Sequence, residues 1–157
     1  MIEVINNKNF NFSYCQENEQ YNNSRGILRG IHYQVEPYAQ EKYCHVVKGA
    51  VLSIAVDIRE KSKDYGKYIS CKLDDITKKY MFIPKGYAHG YITLSKESIF
   101  IYQVDKYFNQ EAMRGIAFND MDLNIDWIVR SDEIIISQKD ASASSFKEVE
   151  VYKGDLC

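Results

Sequence analysis

The sequence contains no Gly-x-Gly-x-x-Gly run, no P-loop and no serine nucleophile elbow. It therefore lacks the loop-and-helix devices that commonly cradle phosphates or activate a serine. A phosphorylated ligand would have to be held by Arg, Lys and backbone groups on strands. Charge of one sign is also missing: 20 Lys and Arg against 22 Asp and Glu leave a formal net charge of −2. That balance exerts no global pull toward nucleic acid or an anionic membrane, though it is compatible with a local cationic pocket. No apolar run approaches membrane-spanning length, and the opening MIEVINNKNF has no signal-peptide core, so a cytoplasmic location is expected. The four cysteines, Cys15, Cys44, Cys71 and Cys157, form no Cys-x-x-Cys pair, which favours reduced thiols over a thiolate metal site. There is no internal repeat, long linker or low-complexity block.

What the chain does contain is strand signal. Its 157 residues suit one domain with a single core. From Leu52 to Ile58, the residues Leu52, Ile54, Val56 and Ile58 alternate with Ser53, Ala55 and Asp57, a period of two that marks a strand with one face in an apolar core. Lys48-Gly49 reads as a tight turn after Val46-Val47, so residues 43–58 are expected to form a hairpin. Further short runs rich in aromatic and β-branched residues lie at Tyr68–Leu73, Tyr80–Ile83, Tyr91–Leu94 and Ile99–Val104. Turn signals separate them at Asp64-Tyr65-Gly66, Pro84-Lys85-Gly86 and Ser95-Lys96-Glu97. This spacing predicts an all-β sandwich or barrel. Helix is weakly signalled: one turn at Asp74–Lys79, and a short helix or loose tail after Asp140.

Only three histidines are available for chemistry: His32 in Arg29-Gly30-Ile31-His32-Tyr33-Gln34, His45, and His89 in Pro84-Lys85-Gly86-Tyr87-Ala88-His89-Gly90. Glycines beside His32 and His89 allow close approach of backbone or ligand. Pro-x-Gly-x-x-His resembles the second motif of the cupins, many of which bind metal. The cupin first motif normally carries His-x-His with a downstream Glu, whereas here the place reads His32-Tyr33-Gln34. A three-histidine site would require His45 to point inward, which alternation alone leaves open.

Taken together, RGILRGIHYQ, AQEKY, VDIREKSKDYGKY, FIPKGYAHGYITLS, IYQVDKYF, GIAFNDMDLNIDW and SQKD, in this order over about residues 16–143, resemble the dTDP-4-dehydrorhamnose 3,5-epimerase family. The resemblance implies a cupin-type double-stranded β-helix, or jelly roll, usually assembled as a homodimer, with neither metal nor cofactor. It implies inversion at C3 and/or C5 of a nucleotide-linked 4-keto-6-deoxy sugar, dTDP-linked in the family. Such chemistry needs a base, an acid on the opposite face and a group to stabilise the enolate oxygen. By the resemblance His32 is the base and Asp140, in Ser137-Gln138-Lys139-Asp140, its carboxylate partner, with Asp120 in reserve. Tyr102 is the acid, and Lys42 faces the keto oxygen. Arg29, His89, Lys139, Gln16 and Asn18 match substrate-binding positions, and Phe108 occupies the place of a Tyr stacked on the nucleotide base.

The sequence departs from the family in places. Family members usually carry a longer N-terminal arm with a Phe-x-Asp-x-Arg-Gly-type motif that crosses to the other subunit. Fifteen residues precede Gln16 here and none reproduces it, so the expectation is one epimerase domain over 1–157 with a shortened arm. Glu41 stands where Gly is usual and is positioned in sequence to pair with Lys42. Met113 falls near a position where some members have a nucleotide-contacting Glu. The alternative function is a non-catalytic or differently specific cupin that binds a sugar nucleotide.

Overall fold

β-Branched and aromatic runs become strands wherever apolar cover is available on one or both faces. The computed structural model describes residues 1–5 and 11–154; Cys157 and the end of the tail beyond Phe146 lie outside them. The strands are β1 (Glu3–Ile5), β2 (Gln16–Asn22), β3 (Ile27–Gln34), β4 (Lys42–Lys48), β5 (Ala50–Asp57) and β6 (Tyr68–Asp74). They continue with β7 (Tyr80–Ile83), β8 (Tyr87–Thr93), β9 (Ser98–Val104), β10 (Met113–Gly115) and β11 (Ile135–Ile136), and α1 spans Gln138–Ala141. One sheet runs β1-β7-β4-β9-β2 and the other β10-β3-β8-β5-β6, with β11 added alongside β3. All pairings except β11–β3 are antiparallel. Two facing sheets whose consecutive strands cross between them form the cupin-type jelly roll.

The expected hairpin at 43–58 does not form. β4 pairs with β7 and β9, whereas β5 pairs with β6 and β8 in the opposite sheet. The reason lies in the burial of β5. Leu52, Ile54 and Val56 enter one apolar cluster and Val51 and Ala55 another, so the strand needs cover on both faces and must face β4 instead of lying beside it. The turn itself is present as the corner between the sheets. Gly49 has φ +75, and a Cβ there would sit 2.1 Å from the Glu97 carbonyl oxygen and 2.3 Å from Ser95 Oγ; only glycine fits.

The expectation of one core gives way to two. Between the sheets lie Cys44, Val46, Met81, Ile83, Leu73, Tyr91 and Phe100. On the outer face of the second sheet, Leu28, Ile31, Leu52, Ile54, Val56 and Ile92 are covered by Ile116, Leu123, Trp127, Val129 and Phe146 of the C-terminal segment. Trp127 Nε1 donates to the Phe118 carbonyl at 2.8 Å, which fixes that segment. Asp120 is used in the same segment: its carboxylate accepts from the backbone N–H groups of Asp122, Leu123 and Phe146. It is a loop anchor, not the reserve partner of His32.

β3 is irregular at the point that matters most for the site. Arg29 pairs with Tyr91, but His32 pairs with His89, so three steps on β3 match two on β8. This bulge brings positions 29 and 32, which a regular strand would put on opposite faces, to the same side. Gly30 makes it feasible: its φ is +107, and a Cβ would lie 2.7 Å from the His89 carbonyl oxygen and 2.8 Å from the Gly90 Cα. Gly30→Ala should therefore lower unfolding stability by about 1–3 kcal/mol, or prevent folding, in urea denaturation; a variant with the parent midpoint would show that the bulge tolerates a side chain.

Candidate active site

At the polar end of the space between the sheets is a cleft of about 370 Å³. Gln16 and Asn18 of β2, Lys42 of β4 and Tyr102 of β9 approach it from one sheet, and His32 of β3 from the other; Phe108, Met113 and Lys139 complete the mouth. Register explains the grouping. Asn18, Tyr102 and Cys44 are cross-strand partners, as are Gln16, Val104 and Lys42, so both rows share the inward face.

His32 Nε2 lies 2.8 Å from Asp140 Oδ1. Asp140 is buried, and its other oxygen accepts the Gly30 N–H at 3.2 Å. Local sequence sets this up. Ser137 caps α1 by accepting the Asp140 N–H, so Asp140 lies inside the short helix instead of starting it. An ionised carboxylate only accepts, which assigns the ring proton to Nε2 and leaves the Nδ1 lone pair to take up a proton. Burial lowers the pKa of His32, with Lys42 and Lys139 adding to the effect; Asp140 opposes them, but the value ends below the ordinary 6.5. The imidazole is therefore neutral at neutral pH, as a base must be.

Lys42 is buried, and among the described residues no carboxylate lies within ion-pair distance of its Nζ. Burial lowers its pKa, partly offset by the Cys44 thiol. The ammonium stands 6.0 Å from the centre of the Tyr102 ring. Glu41 does not pair with it. Neighbouring residues point to opposite sides of an extended chain, and the Glu41 carboxyl is raised by burial and by Asp105, with Lys85 as the nearby cation. Tyr102 is half-buried; burial and Cys44 raise its phenol while Arg29 opposes them, so it carries its proton at neutral pH.

Eight of the ten sequence-derived site residues meet in or directly behind this cleft: His32, Asp140, Tyr102, Lys42, Lys139, Gln16, Asn18 and Phe108. Gln16 Oε1 also accepts the Phe108 N–H at 3.3 Å, which ties the exposed ring to β2. Arg29 and His89 do not line the cleft. Arg29 flanks it, exposed, with Nε donating to Asn22 Oδ1 at 3.1 Å. His89 is buried, paired in register with His32. His45 packs on Tyr80, ring centres 4.7 Å apart. It lies one residue on from Cys44, on the other face of β4, so the three histidines do not converge.

Sequence reasoning missed Ser53, which is fully buried and 2.9 Å from His89 Nε2; a lone hydroxyl in the Leu52–Val56 run was the available signal. It also missed Gln40, which joins the cleft wall. Cys15, Cys44 and Cys71 are free thiols, and burial pushes Cys44 up to about 12, which makes it inert. No helix among the described residues is long and apolar enough to cross a membrane.

The lowered histidines make stability depend on pH. His89 is pushed well below 6.5 by burial, then by Lys42 and His32. The unfolded chain thus binds protons that the folded chain refuses. The stabilisation is complete above the unfolded value and is lost as pH falls toward the folded values. The urea midpoint should drop between about pH 7 and pH 5, and less so in His89→Gln if the variant folds; a flat midpoint in the parent would contradict neutral burial of these rings.

Known proteins resemble this chain over most of its length. The sequence profile described as dTDP-4-dehydrorhamnose 3,5-epimerase matches residues 2–148. A dTDP-4-dehydrorhamnose 3,5-epimerase from Shigella flexneri is 37% identical over 139 residues, covering 88% of this chain and 75% of the relative. The crystal structure of a dTDP-4-dehydrorhamnose 3,5-epimerase from Elizabethkingia anophelis superposes with a TM-score of 0.86 at 37% identity, over 89% of this chain and 75% of that one. A dTDP-6-deoxy-D-glucose-3,5-epimerase from Legionella pneumophila, solved in complex with dTDP-4-keto-L-rhamnose, also gives 0.86, at 32% identity over 92% and 77%.

Proposed function

Since the chain belongs to the dTDP-4-dehydrorhamnose 3,5-epimerase family and is an isomerase of that type, we propose that it inverts C3 and C5 of a dTDP-linked 4-keto-6-deoxy sugar, with His32 as base, Tyr102 as acid, Lys42 at the ketone oxygen and Asp140 as partner of the base. The observation that carries the assignment is that His32 and Tyr102 project from opposite sheets into one cleft. A sugar ring lying between them would offer one face to each.

The steps balance on these groups. His32 Nδ1 takes the proton from the carbon α to the ketone, and the electron pair moves to the carbonyl oxygen to form an enolate. Lys42, a buried cation without a carboxylate partner among the described residues, supplies the compensating charge in a site of reduced polarity. Asp140 stabilises the imidazolium and holds the ring. The Tyr102 hydroxyl then protonates the same carbon from the opposite face, inverting it, and solvent restores both groups. Lys139 and Arg29 suit the diphosphate, Gln16 and Asn18 the nucleotide, and the exposed Phe108 ring a stacked base. His89, buried in register with His32, is assigned to the sugar by the family resemblance alone. A homodimer in the cytoplasm completes the proposal, on the strength of the family resemblance; a light-scattering mass of one chain would overturn the dimer.

Incubation with dTDP-4-keto-6-deoxyglucose in D2O, followed by NMR, tests the reaction. Deuterium should enter at C3 and C5; entry at C3 alone would make it a 3-epimerase, and entry at neither would overturn the assignment. His32→Ala should slow exchange at both carbons by about 10²–10⁴-fold. Tyr102→Phe should retain proton washout longer than net inversion, and inversion at the parent rate would remove Tyr102 from the acid role.

A further inference from the structure

Ser53 is a fully buried hydroxyl on β5, in a strand whose inward face is otherwise apolar near the centre of the protein. Among the described residues its side chain has one hydrogen-bond partner, His89 Nε2, at 2.9 Å. His89 stacks on Phe100, ring centres 6.0 Å apart and planes at 24°. In register it stands opposite His32 on β3 and Ala55 on β5. Lys42 and His32, both groups of the cleft, act electrostatically on its ring. The imidazole is thus held at its Nε2 end by β5.

The direction of the Ser53–His89 bond follows from satisfying the hydroxyl. A serine hydroxyl donates one proton and can also accept, so when buried its O–H needs an acceptor. If Nε2 carried the ring proton, Ser53 would accept it and its own O–H would be buried without an acceptor, which is unfavourable. If Ser53 donates, both groups are satisfied and the ring proton sits on Nδ1. His32 has the opposite arrangement, because its Nε2 faces the acceptor-only carboxylate of Asp140. Two histidines in register on adjacent strands therefore hold complementary tautomers. One offers a lone pair at Nδ1, the other an N–H.

We propose, resting on the epimerase reading above, that Ser53 is a positioning residue: by donating to His89 Nε2 it fixes the Nδ1–H tautomer, so that His89 acts as a hydrogen-bond donor to the ketone oxygen as the enolate forms. Lys42 contributes charge to that oxygen, and His89 contributes direction. A carboxylate at position 53 would accept from Nε2, reverse the tautomer and favour the imidazolium.

Nitrogen NMR of the full-length protein labelled with ¹⁵N-histidine reads the tautomer without substrate. In the parent, His89 should carry its proton on Nδ1 and remain neutral between about pH 6 and 8. Ser53→Ala should shift the ring toward a mixture of tautomers and lower kcat by about tenfold with KM nearly unchanged, less than the roughly 10²–10³-fold lost when an oxyanion donor is itself removed. Ser53→Asp should move the proton to Nε2 and give His89 a titration in the neutral range, visible as an added ionisation in the kcat profile. The proposal is overturned if the parent His89 carries its proton on Nε2, or if Ser53→Ala keeps both the parent nitrogen spectrum and the parent kcat. The spectrum also separates this idea from the function it rests on. Deuterium exchange with an Nε2–H His89 overturns the Ser53 assignment alone, whereas an Nδ1–H His89 in a parent without exchange overturns both the epimerase reading and the catalytic use of the pair.

Discussion

Asp140 is the point at which backbone geometry and site chemistry meet. One of its oxygens holds the His32 ring and the other holds the Gly30 N–H within the β3 bulge. The bulge turns His32 and Arg29 to one face, and the carboxylate fixes both the bulge and the tautomer of the ring it presents. A buried carboxylate is unfavourable unless its oxygens are satisfied. Here the same hydrogen bonds that satisfy it orient the proposed base, so the local stability of the strand and the reactivity of the imidazole depend on one carboxylate.

The space between the sheets is divided by chemistry. Toward β7, Met81, Ile83 and Leu73, with Phe100, form an apolar core. Directly beside it, on the same or adjacent strands, stand Lys42, Tyr102, His32 and His89. Low polarity behind the polar groups produces the shifts on which the proposed mechanism relies: two neutral histidines, a lysine with a lowered pKa and a protonated tyrosine. A charge developing on a bound substrate would meet less water and a fixed cation, a larger effect than the same groups would exert on an open surface.

Much of this was legible in the sequence, for identifiable reasons. β7 is bounded as the aromatic run Tyr80–Ile83 suggests, and β5, β6, β8 and β9 overlap the other runs, because strand propensity and turn chemistry act locally. The 43–58 hairpin was misread because strand partners depend on which faces need cover, and Val51 and Ala55 look too modest in sequence to reveal a second buried face. The shared face of Arg29 and His32 could not be read from alternation, since a bulge removes the period of two. The motif resemblance supplied what spacing alone could not, the meeting of residues 32 and 140. Ser53 escaped because a serine in an apolar strand looks the same whether it is a packing compromise or the partner of a buried ring.

The segment that carries Asp140 and Lys139 is also the one whose Trp127 and Phe146 seal the outer face of the second sheet. His32 and Asp140 stand 108 positions apart in the sequence, so the site is complete only when the C-terminal segment is docked. A chain whose two sheets have closed but whose C-terminal wrap is still undocked has a cleft with the lysine and the tyrosine in place and a histidine without its carboxylate. Docking of that layer is thus a condition of the proposed chemistry as much as of the outer core.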